Sequence, residues 1–246
     1  MQHHDFQRAR SEEQVQQRRD DIINAARALL ETSGSGSVTL MSIGKGVGLA
    51  KSNIYRYFES REDILCEVFL QESEKLADEH WSAFNGMPRL NDLSTCAAVF
   101  ANGCAARPLF CMLHAELAGT MEEHVSVERL IYLKTEFARL MARVASGLQA
   151  AAPELGEARA CLAVRMFLHQ LAGCWLFSHL GDRPNEAIRT ARLAQFSQPF
   201  RKTYSQSCYV ILTGLSSIDI SEDMFSGIAP FDHDSEAASV PPTQMA

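Results

Sequence analysis

Residues 38–65 read VTLMSIGKGVGLAKSNIYRYFESREDIL, and this punctuation restricts the fold more than any other stretch of the chain. Gly48-Leu49-Ala50 separates two short runs, predicted as helices over Thr39 to Val47 and Lys51 to Phe58. In the second run Lys51, Ser52, Tyr55 and Arg56 fall at i, i+1, i+4 and i+5 and form one polar face. Ile54 and Phe58, four apart, form an anchoring face that can pack onto the preceding helices. One side held and the other offered outward is the layout of a helix-turn-helix whose second helix enters a DNA major groove.

The flanks extend this into an all-α plan. Residues 1–17 are polar and glutamine-rich and read as a mobile arm. Helical periodicity starts near Arg18, with Ile22, Ile23, Ala26, Leu29 and Leu30 on one face, and stops at the Ser/Gly run before Val38. Ser60 offers an N-cap with Asp63 three residues on, a short version of the capping box. The long helix that follows carries Ile64, Leu65, Val68, Phe69, Leu76, Trp81 and Phe84, and Asn85-Gly86-Met87-Pro88 breaks it. Further helices are predicted near 91–106, 108–121, 126–151, 156–180, 185–198 and 202–215, with no strand alternation. The expected organisation is an arm (1–17), a helix-turn-helix DNA-binding domain (18–62), a helical body (63–215) and an acidic, aperiodic, disordered tail (216–246).

Charge divides along the same boundary. The chain as a whole is acidic, with a formal net charge of −7. Residues 1–62 hold nine Lys/Arg and eight Asp/Glu, net +1, whereas 63–246 hold fourteen and twenty-two, net −8. That balance suits a protein touching DNA at one end, through placed contacts rather than a general positive field. No leading segment resembles a secretion signal. The most apolar stretch, Ala160 to Leu180, is interrupted by Arg165, His169, Gln170 and His179 and reads as a buried helix, so no membrane partner is expected. Seven cysteines without a C-x-x-C pair suggest reduced thiols in a cytoplasm, neither a disulfide framework nor a zinc site. G-x-S-x-G, P-loop, H-E-x-x-H and G-x-G-x-x-G are all absent, so neither an enzyme nor a cofactor is predicted.

Within the head, Thr39 stands at a helix start where a hydroxyl and backbone N–H groups can hold phosphate. Lys51 adds a cation, Tyr55 and Tyr57 add hydroxyls, and Arg56 is the candidate reader of guanine O6 and N7. Val38, Thr39, Ile43, Gly48, Ile54, Tyr55, Tyr57, Phe58, Arg61, Glu62 and Leu65 together make residues 18–65 resemble the DNA-binding domain of the tetracycline-repressor (TetR) family. The resemblance implies DNA contacts at Thr39, Lys51, Ser52, Asn53, Tyr55, Tyr57 and Arg61, to which the helix geometry adds Arg56. The chain departs from the family pattern at Gly44 and Gly46, each costing about 1 kcal/mol inside a helix relative to Ala. It departs again at Ala50, which replaces a capping serine at a loss of about 1 kcal/mol.

The same resemblance implies a homodimer formed by the last two long helices, bound to an inverted-repeat double-stranded operator. It also implies a pocket in the body for a small-molecule effector. Candidate lining residues are Phe100, Cys104, Phe110, Cys111, His114, Met141, Phe167, His169 and Trp175, whose mixture suits an apolar ligand with a few polar groups. Two other readings stay open: a regulator that senses oxidants through its cysteines, and a helical small-molecule binding protein whose head no longer binds DNA.

Overall fold

Ser60 starts the helix on which the rest of the fold is hung. The computed structural model describes residues 2–88, 92–117 and 121–218, with side chains from Glu12 onward. Among these are ten α-helices and no strand. Helix α1 spans Gln2–Ser33, α2 Leu40–Val47, α3 Lys51–Ile54 and α4 Arg61–Asn85. The Ser60 side chain accepts from the Asp63 backbone N–H at 3.0 Å, and Asp63 in turn accepts from the Glu59 N–H at 3.1 Å. The N-cap expected of Ser60 is thus present, while Asp63 reaches back one residue beyond it, to Glu59, instead of to the Ser60 N–H.

Two expectations for the head are corrected. Helix α1 begins at Gln2 rather than near Arg18, so the presumed arm is helical. Residues 2–17 contain neither Gly nor Pro, and Gln16 and Gln17 donate to Asp20 and Asp21 four residues on. The third helix ends at Ile54, not Phe58. Beyond it the chain tightens, with the Arg56 N–H bonded to Asn53 O and the Tyr57 N–H to Ile54 O. Ile22, Ile23, Ala26 and Leu30 of α1, Ile43 of α2, Ile54 of α3, and Phe58 and Leu65 beyond it are all buried in one core.

The body adds α5 (Leu93–Ala105), α6 (Pro108–Glu116), α7 (Val127–Ala151), α8 (Gly156–Ser178), α9 (Asp182–Thr190) and α10 (Phe200–Ser217). Asp92 caps α5 through the Ser94 and Thr95 N–H groups, and Pro108 opens α6, where its missing N–H costs nothing. Helix α4 packs along α7, α10 lies on α5 and α8, and α8 also meets α6 and α7. Gly147 permits the α4–α7 approach: a Cβ there would sit 3.3 Å from the Trp81 Cα. Residues 185–198 do not form one helix, because α9 stops at Thr190, Arg192 takes a left-handed backbone (φ 56°), and Ala194–Phe196 is a 3-10 turn. Pro153–Ser178 is long and apolar enough to cross a bilayer, yet half of its most apolar window is buried against the neighbouring helices. The expected tail lies outside the described residues from 219 onward.

Candidate nucleic-acid interface

Thr39 sets the interface. Its hydroxyl accepts from the Ser42 N–H at 3.0 Å while the Ser42 hydroxyl accepts from the Thr39 N–H at 2.9 Å, a complete capping box at the start of α2. Helix α2 closes on Gly48, whose φ of 68° is left-handed and suits glycine. Gly44, buried in the turn of the helix above, answers a second need. A Cβ on it would strike the Leu49 carbonyl oxygen at 2.5 Å, so the tight turn into α3 requires hydrogen at this position. Ala50 then starts α3 without a side-chain cap.

On α3 and the turn that follows it, the expected division into an outward and an anchoring side is present. Lys51, Ser52, Asn53, Tyr55 and Arg56 are exposed, while Ile54 and Phe58 are buried. The Lys51 ammonium lies 5.9 Å from the Tyr55 ring centre, so the cation and the phenol share one outward surface. Tyr57 is only partly exposed and packs on the core. Arg61 is differently employed. Its Nε donates to Val38 O at 2.5 Å, its Nη2 to Ser35 O at 2.7 Å, and its Nη1 pairs with Glu62 at 2.8 Å. The guanidinium thus braces the loop ahead of α2.

Four arginines that sequence reading passed over tie this surface to the body. Arg19 of α1 donates to Tyr57 O, pairs with Glu67 at 3.1 Å, and lies 4.2 Å from the Phe58 ring centre. Arg129 of α7 pairs with Asp63 at 2.8 Å and Glu67 at 2.7 Å. A cleft of about 330 Å³ opens between these groups, lined by Arg19, Tyr55, Arg56, Glu59, Asp63 and Arg129. Farther along α4, Glu72 meets Arg27 of α1, Lys75 of α4 and Arg107 at the start of α6. Burial works against ionisation of Glu72, but Lys75 and Arg27 outweigh it and hold the carboxyl below its ordinary value.

The proposed pocket residues divide. Phe100, Cys104, Phe110, Cys111, Met141 and Phe167 are fully buried. Phe110 stacks on Phe69 at 5.6 Å, and both lie near-parallel to the partly exposed His114 ring; Phe137 completes the group. Phe100 belongs to a second aromatic set with Phe167 at 4.7 Å and Tyr204 at 6.3 Å. Trp175 sits at its rim, 3.6 Å from the His179 ring and edge-on to Phe200. His169 is not a lining residue: it is exposed, because the 100° step per residue turns it away from Leu168 and Leu171, which are buried.

All seven cysteines are buried and none is in a disulfide. Burial pushes the thiols of Cys66 and Cys104 up to about 12 and that of Cys96 up to about 11; Cys111 and Cys208 are raised further. Protonated, enclosed thiols give the oxidant-sensing reading no support.

A three-helix head with an outward polar third helix, on a long helix that runs into an α-helical body, defines a helix-turn-helix DNA-binding regulator. Residues 22–68 match the family model for bacterial regulatory proteins of the tetR family, and residues 70–218 match that for the tetracyclin repressor-like C-terminal domain. The chain therefore belongs to the TetR family of transcriptional regulators. In three dimensions it is similar to a possible TetR family transcriptional regulator from Streptomyces coelicolor A3(2), with TM-score 0.56, 20% identity, and coverage of 80% of this chain and 98% of that one. A second similar structure is a TetR-family transcriptional regulator from Mesorhizobium loti MAFF303099, with TM-score 0.52, 15% identity, and coverage of 82% and 96%. No curated protein matches the chain in sequence.

Proposed function

We propose that the protein is a cytoplasmic transcriptional repressor that occupies an inverted-repeat operator as a homodimer and is released by a small-molecule effector held in its body. The observation that carries this reading is the split of α3 and its following turn, with Ile54 and Phe58 buried and Lys51, Ser52, Asn53, Tyr55 and Arg56 outward. Arg56 reads a base edge; Lys51, Tyr55 and the Thr39 start of α2 hold phosphates; Ser52 and Asn53 add short polar contacts. Tyr57 and Arg61 keep the turn in place and meet the backbone only at its margin.

Dimerisation is supported by α8 and α10, each of which has a second apolar face. Leu176 and Phe177 are 56% and 64% exposed, and Tyr209 and Val210 on α10 are 46% and 68% exposed. Exposed apolar side chains of this kind, on helices already packed together, fit an isologous contact between two copies. Two heads so joined read two half-sites about one helical turn apart. Selection from a random duplex library at moderate salt tests the proposal. An enriched inverted repeat is expected; enrichment of nothing by the folded protein overturns it.

A further inference from the structure

We propose that the His114 Nδ1 atom is the hydrogen-bond acceptor that recognises the effector, and that the effector is an uncharged, mostly apolar aromatic molecule with one O–H or N–H donor. This deepens the ligand-responsive reading above and rests on it.

The tautomer follows from the partners. His114 Nε2 lies 3.0 Å from the carbonyl oxygen of Leu168. A carbonyl oxygen only accepts, so Nε2 carries the hydrogen. Burial disfavours the imidazolium, and the neutral ring then presents Nδ1 as a bare lone pair. That atom is buried and has no partner among the described residues. His80 in α4 and His179, which caps the end of α8, are bonded differently. His80 and His179 each place Nδ1 against the carbonyl four residues back, at 2.8 and 3.0 Å. A buried acceptor left unmet calls for a donor from elsewhere.

The surroundings specify the rest of the guest. The rings of Phe110 and Phe69 lie 5.7 and 6.2 Å from the His114 ring, at 16° and 22° to it. These rings stack on one another, so the wall around Nδ1 is aromatic and apolar and favours an aromatic guest. No carboxylate or ammonium pairs with the ring among the described residues, so a charged ligand would go uncompensated. The way in is short. His114 and Phe137 both keep partial exposure and their ring centres lie 6.0 Å apart, so a guest at Nδ1 would press on the Phe137 ring. Phe137 stands on α7 about two turns from Arg129, which grips Asp63 and Glu67 beneath the recognition turn. A guest that moves Phe137 therefore acts on the helix that holds the head.

The test uses the full chain with two probes of matched shape, 2-naphthol and 2-methylnaphthalene, titrated by calorimetry. 2-Naphthol is the more water-loving of the two, so a purely apolar core would prefer 2-methylnaphthalene. The expectation is that 2-naphthol binds at least about tenfold tighter, because only it satisfies the buried acceptor. It should also shift the ¹⁵N resonance of His114 Nδ1, which 2-methylnaphthalene leaves in place. His114→Phe keeps the ring stack and should abolish the preference. If this variant does not fold, the ¹⁵N shift in the unsubstituted protein decides. Equal binding of the two probes, no binding of either, or a 2-naphthol preference that survives His114→Phe overturns the proposal. Operator selection separates the two readings: a chain that enriches an inverted repeat but ignores the hydroxyl loses only the His114 assignment. One that binds 2-naphthol through His114 and enriches no DNA loses only the regulator reading.

Discussion

Arg129 on α7 holds Asp63 in the first turn of α4 at 2.8 Å, and the other oxygen of the same carboxylate accepts the Glu59 N–H at the exit of the recognition turn. Asp63 is thus shared between the cap that starts α4 and an arginine of the body. Both side chains are largely enclosed, so their ion pair is screened less than a surface pair.

Removing either partner should destabilise the junction, and the two losses should not add. A double-mutant cycle of Arg129→Ala and Asp63→Asn, read by urea denaturation, is expected to give a coupling of about 0.5–3 kcal/mol. Strict additivity would mean that the pair contributes nothing beyond its separate members.

The two helix-interior glycines of α2 should respond oppositely to alanine. Gly46→Ala meets the Ala25 Cβ at 3.4 Å, an ordinary contact, and should stabilise the head by about 1 kcal/mol through helix propensity. Gly44→Ala drives a methyl into the Leu49 carbonyl and should lower the melting temperature and weaken DNA binding together. A Gly44→Ala protein as stable as the parent would refute the close approach.

Acid should weaken the α1–α4–α6 junction through Glu72. Its folded carboxyl titrates below the ordinary 4.5, so its contribution is fully present above that value. As the pH falls from 4.5 through the lower folded value, the unfolded chain gains a proton first and the stabilisation drains away. Glu72→Gln should flatten this part of the stability profile while lowering stability at neutral pH. An unchanged slope between pH 5 and 3 (about the carboxylate range) would assign the acid response elsewhere.

On DNA, the exposed cations should separate by role. Lys51→Ala should weaken binding evenly across sequences and reduce the salt slope by about 1. Arg56→Ala should cost about 1–3 kcal/mol and relax preference at one base position. Arg61→Ala should instead lower head stability, because Val38 O and Ser35 O lose their donor, with base preference intact. Altered base preference in the Arg61 variant would return that residue to the contact surface.

Local signals were readable in advance. The Ser60–Asp63 cap, the Gly48 turn and the Ile54/Phe58 anchor depend on residues within four positions of one another, and all three are present as expected. What escaped was non-local. The third helix stops early where Arg19, 38 positions upstream, captures the Tyr57 carbonyl. The Asp63–Arg129 pair spans 66 positions, and no spacing rule anticipates it. In the body, α8 is apolar on two faces, so periodicity alone could not say whether His169 or Leu168 faces inward. The buried lone pair on His114 depends on a carbonyl 54 residues away.

Helix α4 is unbroken for 25 residues, from the Ser60 cap to Asn85. At 1.5 Å per residue it is about 37 Å long. Its body portion is locked in the aromatic core by Phe69 and Phe84, and its first turn carries the recognition turn. Pivoting such a rod by about 10° at one end carries the other through about 6 Å, a large fraction of a major groove's width. A small repacking around a buried ring in the body would thereby carry the recognition turn through a distance on the scale of that groove.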